Sequence, residues 1–99
     1  MTKITFDRSG GILGQELRLN LDLDTLPANE ALKLLNQIQR SDFFNQPENL
    51  AGSATPDEFT YTVTVESGAT HHRVRVTDTK TPDSLRSLLD MLSAIAVFS

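Results

Sequence analysis

The sequence predicts an α+β domain of order ββαββα, a four-stranded antiparallel sheet with two helices packed on one face. Three observations point there. Residues Glu58 to Thr77 alternate apolar and polar almost without error, two shorter alternating stretches open the chain, and each pair of strands is followed by apolar residues at helical spacing.

The second pair of strands is the clearest. Phe59, Tyr61, Val63 and Val65 take one parity, and Thr60, Thr62, Thr64 and Glu66 the other. After Ser67-Gly68-Ala69-Thr70, His72, Val74 and Val76 stand against His71, Arg73, Arg75 and Thr77. Successive strand side chains point to opposite faces, so this is a hairpin with one apolar and one polar side. Glycine at the first central position suits a type II′ turn and predicts Glu66 opposite His71, Val65 opposite His72, Val63 opposite Val74 and Tyr61 opposite Val76.

In the first pair, Ile4 and Phe6 begin one strand, and Leu17, Leu19, Leu21 and Leu23 mark the other, with Ser9-Gly10-Gly11-Ile12-Leu13-Gly14 between them. A two-residue Gly10-Gly11 turn sets Ile4 opposite Leu17, and a six-residue loop sets Phe6 there. Both keep apolar facing apolar, so parity does not choose.

A helix is expected from about Pro27 to Arg40, with Ala28, Ala31, Leu32, Leu34, Leu35 and Ile38 as a broad apolar stripe and Asp24 or Thr25 near its start. A second opens with Thr81 as N-cap and Pro82 at the first helical position. It carries Leu85, Leu88, Leu89, Leu92, Ile95 and Ala96 on one side. The connection from Ser41 to Asp57 is long for a compact domain. Phe43 and Phe44 suggest that it is anchored, and Glu48 to Pro56 reads as a mobile surface loop.

The chain of 99 residues is expected to form one domain, 1–99, burying roughly 65% of its unfolded surface with no disulfide or metal needed. It has no cysteine, hence no thiol nucleophile and no thiolate metal site. Met1 to Asp7 lacks the apolar run of about 7 to 15 residues that a secretory signal needs, which favours a cytoplasmic protein. The apolar stretch Ala94 to Phe98 is too short to span a bilayer. Nine basic against thirteen acidic residues give a net charge of −4, which opposes phosphate attraction and argues against nucleic acid as a partner.

The candidate chemistries are weak. His71 and His72 are strand neighbours pointing to opposite faces, so they do not grip one ion together. Asn20, Asp22 and Asp24 share a face, but an EF-hand would need glycine in place of Thr25 and glutamate in place of Ala31. Gly10 to Gly14 lacks the lysine and hydroxyl of a phosphate loop and joins strand to strand. No nucleophile elbow, Cys-His pair or His-Glu-x-x-His occurs, so neither enzyme activity nor a cofactor is expected. Ile12 and Leu13 are two large apolar residues in a glycine-flanked turn. Either one tucks over the end of the core, or at least one stands out to meet a partner.

Ser9-Gly10-Gly11 after a short strand, Leu21-Asp22-Leu23-Asp24-Thr25-Leu26-Pro27 leading into a helix, and Asp42-Phe43-Phe44 after it occur in order. The Asp57 to Glu66 strand, its His72 to Val76 return and a Pro82-initiated leucine helix follow. Together they resemble the emfourin (protealysin-inhibitor) family, small inhibitors of thermolysin-like zinc metalloproteases. The resemblance implies a reversible inhibitor, without catalytic residues or cofactor, that covers the protease cleft. It further implies a thermolysin-like metalloprotease as partner, a free monomer, and a cytoplasmic or atypically exported setting.

Two blocking modes are open. In one, Gly10, Gly11, Ile12, Leu13 and Gly14 enter the cleft. In the other, a strand edge or the polar face lies across it, with Arg73 and Arg75 meeting acidic groups. The loop is the favoured anchor. The competing class is a non-inhibitory interaction or assembly module, such as a dimer through a sheet edge. A small-ligand binder is disfavoured because the inner faces carry enough large apolar side chains to fill themselves.

Overall fold

A computed structural model describes residues 2–10, 16–50 and 58–98. The alternating segments become β1 (Thr2–Gly10), β2 (Leu17–Asp22), β3 (Phe59–Ser67) and β4 (Thr70–Thr77), and the periodic ones α1 (Ala28–Arg40) and α2 (Asp83–Phe98). The order is the ββαββα expected. All pairings are antiparallel and the strand order is β2-β1-β3-β4. β1 and β3, which are distant in sequence, therefore form the middle of the sheet.

The β3–β4 hairpin has the expected register throughout, from Glu66 opposite His71 to Tyr61 opposite Val76. Gly68 has φ +60, and Ala69 is not among the positive-φ residues, which fits a type II′ and not a type I′ turn. The β1–β2 register differs from both expectations. Phe6 faces Leu19, Ile4 faces Leu21, and Leu17 faces Arg8. β1 runs on to Gly10 by pairing with β3, so the chain is not free to turn at Gly10 and the return strand begins later. Parity survives the shift because the slip is by an even number of residues from either expectation.

One face of the sheet holds Ile4, Phe6, Leu19, Tyr61, Val63, Val65, Val74 and Val76, all buried with Leu34 and Ile38 of α1 and Leu85, Leu88, Leu89, Leu92 and Ala96 of α2. Both helices cover this face, as their apolar stripes require. The α1 stripe is narrower than expected. Leu32 and Leu35 are 59% and 38% exposed, and Ala28 is exposed too, because the contact surface centres on Leu34 and Ile38.

The helix starts differ in detail. Pro27 occupies the α1 cap position without a side-chain cap, while Asp22 caps the preceding turn of Leu23–Thr25 by accepting the Asp24 N–H at 3.0 Å. At α2, the Pro82 carbonyl accepts the first helical N–H, from Leu85 at 3.0 Å, and Thr81 turns back to bond the Thr77 carbonyl at 2.7 Å. Thr81 is thus a loop brace and not the N-cap.

The connection after α1 is anchored, and further along than expected. Asp42, with φ 53, reverses the chain, and Phe43 inserts into the core in the turn Phe43–Asn45. Glu48 to Leu50 then runs parallel to β4. The Arg75 N–H donates to the Glu48 carbonyl at 2.9 Å, and the Leu50 N–H to the Arg75 carbonyl at 2.8 Å. This strap covers part of β4's outer edge, where the sequence suggested mobile loop. Residues 51–56 of that expected loop lie outside the described residues.

Candidate functional site

The expected protease-binding loop springs from a tightly built rung. Gly10, the last residue of β1, faces Phe59, the first of β3. Its φ is +97, and a Cβ there would stand 2.7 Å from the Glu58 carbonyl oxygen. Glycine is therefore needed twice over, for the dihedral and for the close approach. Gly11, Ile12, Leu13 and Gly14 lie outside the described residues, so the structure fixes where that loop leaves the sheet and not its path. The stretch 51–57 rejoins at Glu58, so both stretches meet the sheet at the same end.

Asp78 holds this end together. Its Oδ2 accepts the Phe59 N–H at 3.0 Å and its Oδ1 lies 3.5 Å from Nη1 of Arg86, whose Nη2 donates to the Asp78 carbonyl at 2.8 Å. Glu58 accepts the Thr79 N–H at 3.0 Å. Tyr61 is buried beneath. Burial first, then hydrogen bonding and charge from nearby Asp78, push its phenol up to about 12. The Arg8 guanidinium lies 4.6 Å from the centre of the Phe59 ring, which is 6.3 Å from that of Tyr61. Strand end, turn and helix start thus share one network, and β1 ends against a braced Phe59.

The opposite face of the sheet is polar. Across β2-β1-β3-β4, Asn20, Thr5, Thr64 and Arg73 form one row, and Arg18, Asp7, Thr62 and Arg75 the next. Arg73 Nε donates to Thr64 Oγ1 at 3.3 Å, and Arg75 is exposed. Arg18 donates to Asp7 at 2.7 Å, but at 73% and 36% side-chain exposure this pair adds little stability. Arg75 sits three residues beyond the Gly10–Phe59 rung and two strands from β1, about 10 Å along the sheet. Arg73 is further. The structure therefore does not bring Arg73 and Arg75 together with Gly10: they belong to the polar face, and the loop belongs to the sheet's end.

The weaker candidates have structural partners. His72 bonds the Gln46 carbonyl through Nε2 at 2.7 Å and packs edge-on against Phe43, 5.6 Å between centroids. It clamps the strap to β4. Asp22 serves the turn before α1, and His71 is exposed. Among the described residues no three His, Asp or Glu side chains are grouped to hold a metal ion, and no helix is long and apolar enough to cross a membrane.

Sequence reasoning missed Arg8, Phe59 and Asp78 as a unit. One signal was available: after Ile4 and Phe6, Arg8 is a charged residue on the inward parity, and such a residue must find an aromatic, a carboxylate or the rim.

These features define a small α+β fold with one polar sheet face and one braced end, at which β1 stops on Gly10. The family model described as Emfourin matches residues 6–93, and the chain belongs to that family. The fold is also similar to a solved structure, emfourin (M4in) from Serratia proteamaculans, an M4 family peptidase inhibitor, at TM-score 0.51 and 16% identity. The match covers 89% of this chain and 85% of that one. No protein of curated function matches the sequence significantly. Family membership makes this chain a non-enzymatic protein and protease inhibition its family's activity.

Proposed function

We propose that this chain is a reversible inhibitor of a thermolysin-like zinc metallopeptidase and acts by obstructing the active-site cleft with the Gly10 to Gly14 loop. The observation that carries the reading is the Gly10–Phe59 rung: a strand ends on a braced residue whose glycine admits no side chain, and two large apolar residues follow within three positions. A braced exit lowers the ordering cost of docking, which is what turns a modest interface of about 800 Å² per partner into tight binding. In this reading the inhibitor acts as a monomer, and Ile12 or Leu13 fills an apolar pocket of the peptidase.

A second mode rests on Arg73 and Arg75, exposed on the polar face and able to meet acidic groups on the cleft rim. Steady-state peptide cleavage by a thermolysin-like metallopeptidase, titrated with the purified protein, tests inhibition itself. The double variant Ile12→Ala with Leu13→Ala separates the modes. Loss of inhibition by at least about tenfold is expected if apolar anchors dominate. Wild-type potency in that variant removes the loop mode, and loss confined to Arg73→Ala with Arg75→Ala transfers the role to the sheet face. A protein that leaves cleavage untouched at every ratio and forms dimers is an assembly module instead.

A further inference from the structure

The end of the sheet that carries Gly10 contains a cation with no acidic partner among the described residues, and this predicts the chemistry of the partner that docks there. Arg8 is half-buried at the end of β1, on the inward parity, with its guanidinium over the Phe59 ring at 4.6 Å. Its strand neighbours are Leu17 on one side and Tyr61 on the other. Neither is anionic in the ordinary pH range.

Among the described residues, the nearest carboxylates with a hydrogen bond or ion pair make it to groups other than Arg8. Asp7 takes the Arg18 Nε–H at 2.7 Å. Asp78 is shared between the Phe59 N–H and Arg86. Glu58 accepts the Thr79 N–H, and Glu16 is exposed and exerts its charge on Arg18. Among the described residues the Arg8 side chain makes no ion pair and no hydrogen bond. Arg8 also lines a depression together with Asp7, Ser9, Glu16, Leu17 and Arg18, near the end of β1.

We infer that Arg8 is a partner-binding residue that receives a carboxylate side chain of the peptidase, held in place for it by the Phe59 ring and, through Phe59, by Asp78. A guanidinium is planar, always charged and able to grip a carboxylate through two parallel N–H groups. Stacking on an aromatic ring fixes that plane before the partner arrives, so little side-chain freedom is lost on docking. Lysine in the same place keeps the charge and loses both the stacking and the two-point grip. This inference rests on the inhibitory reading above, and adds to the loop's apolar contact a charged one at its base.

The test compares wild type, Arg8→Met and Arg8→Lys as inhibitors of a thermolysin-like metallopeptidase, at low and at high salt, with thermal unfolding of each. Methionine keeps apolar packing on Phe59 and removes the charge. The expected result is an inhibition constant raised about tenfold or more in Arg8→Met, an intermediate value in Arg8→Lys, and a salt dependence that is weaker in Arg8→Met than in wild type. Potency unchanged in Arg8→Met overturns the inference. So does an equal loss in both variants that tracks their loss of unfolding temperature and leaves the salt dependence intact, since that is the behaviour of a purely structural side chain. Failure of the wild-type protein to inhibit is a different outcome, scored before any variant is made, and removes the inhibitory reading itself.

Discussion

Replacing Gly10 with alanine separates two glycines that look alike in sequence. At Gly10 the φ of +97 costs a side-chain-bearing residue about 1 to 2 kcal/mol. The new Cβ also stands 2.7 Å from the Glu58 carbonyl oxygen, against 3.4 Å or more for ordinary contact. That carbonyl does not swing away freely, because the next N–H, of Phe59, is bonded to Asp78. Displacing it costs about 1 to 2 kcal/mol more, in the range of overpacked sites. The sum of about 2 to 4 kcal/mol is a large part of a stability of about 5 to 15 kcal/mol. For a domain of this size it lowers the unfolding midpoint by about 10 to 30 °C. Gly68 has φ +60 and nothing within 4 Å of a new Cβ, so Gly68→Ala carries only the dihedral cost. Circular-dichroism melts of the two variants, with urea titrations to give free energies, provide the measurement. A Gly10→Ala protein as stable as Gly68→Ala, or more so, refutes the close-approach argument.

Other outcomes follow from the same packing. Tyr61 is the only tyrosine and the chain has no tryptophan, so absorbance titration reads its phenol alone. The midpoint is expected at about 12, and nearer the ordinary 10 in Asp78→Ala. A phenol raised in the folded state contributes stability that is complete below pH 10 and lost as pH climbs through 12, so denaturant midpoints should fall across that window. Leu34→Ala, at a site 2% exposed, is expected to cost about 2 to 5 kcal/mol. Leu32→Ala, at 59%, should stay within about 0.5 kcal/mol by the same urea titrations.

The parts of the fold that were legible in the sequence are those set by side-chain periodicity. Val63, Val65, Val74 and Val76 announced their face, their strands and their register, because a type II′ turn at Gly68 leaves one way to pair them. The first hairpin gave its faces but not its register, since what ends β1 is its pairing with β3, a partner some fifty residues away. Glu48 to Leu50 was illegible for a different reason: its place depends on main-chain bonds to Arg75, to which composition is blind. The breadth of the α1 stripe misled, because Leu32 and Leu35 have the spacing of core residues without the burial. At the candidate site, Gly10 was picked out by its type. The role of Phe59 and Asp78 came only with the tertiary structure, where residues from three elements converge.

The central place of the β1–β3 ladder has a temporal consequence. Thr2 to Gly10 finds its second neighbour only when Phe59 to Ser67 has been made, so a ribosome-bound N-terminal half holds a two-stranded ribbon with α1 and lacks the other two strands and α2. Closing so long an intervening stretch delays acquisition of the native state. Truncated products would then carry no partial potency, and the molecule would switch on only after nearly all of it has been synthesised.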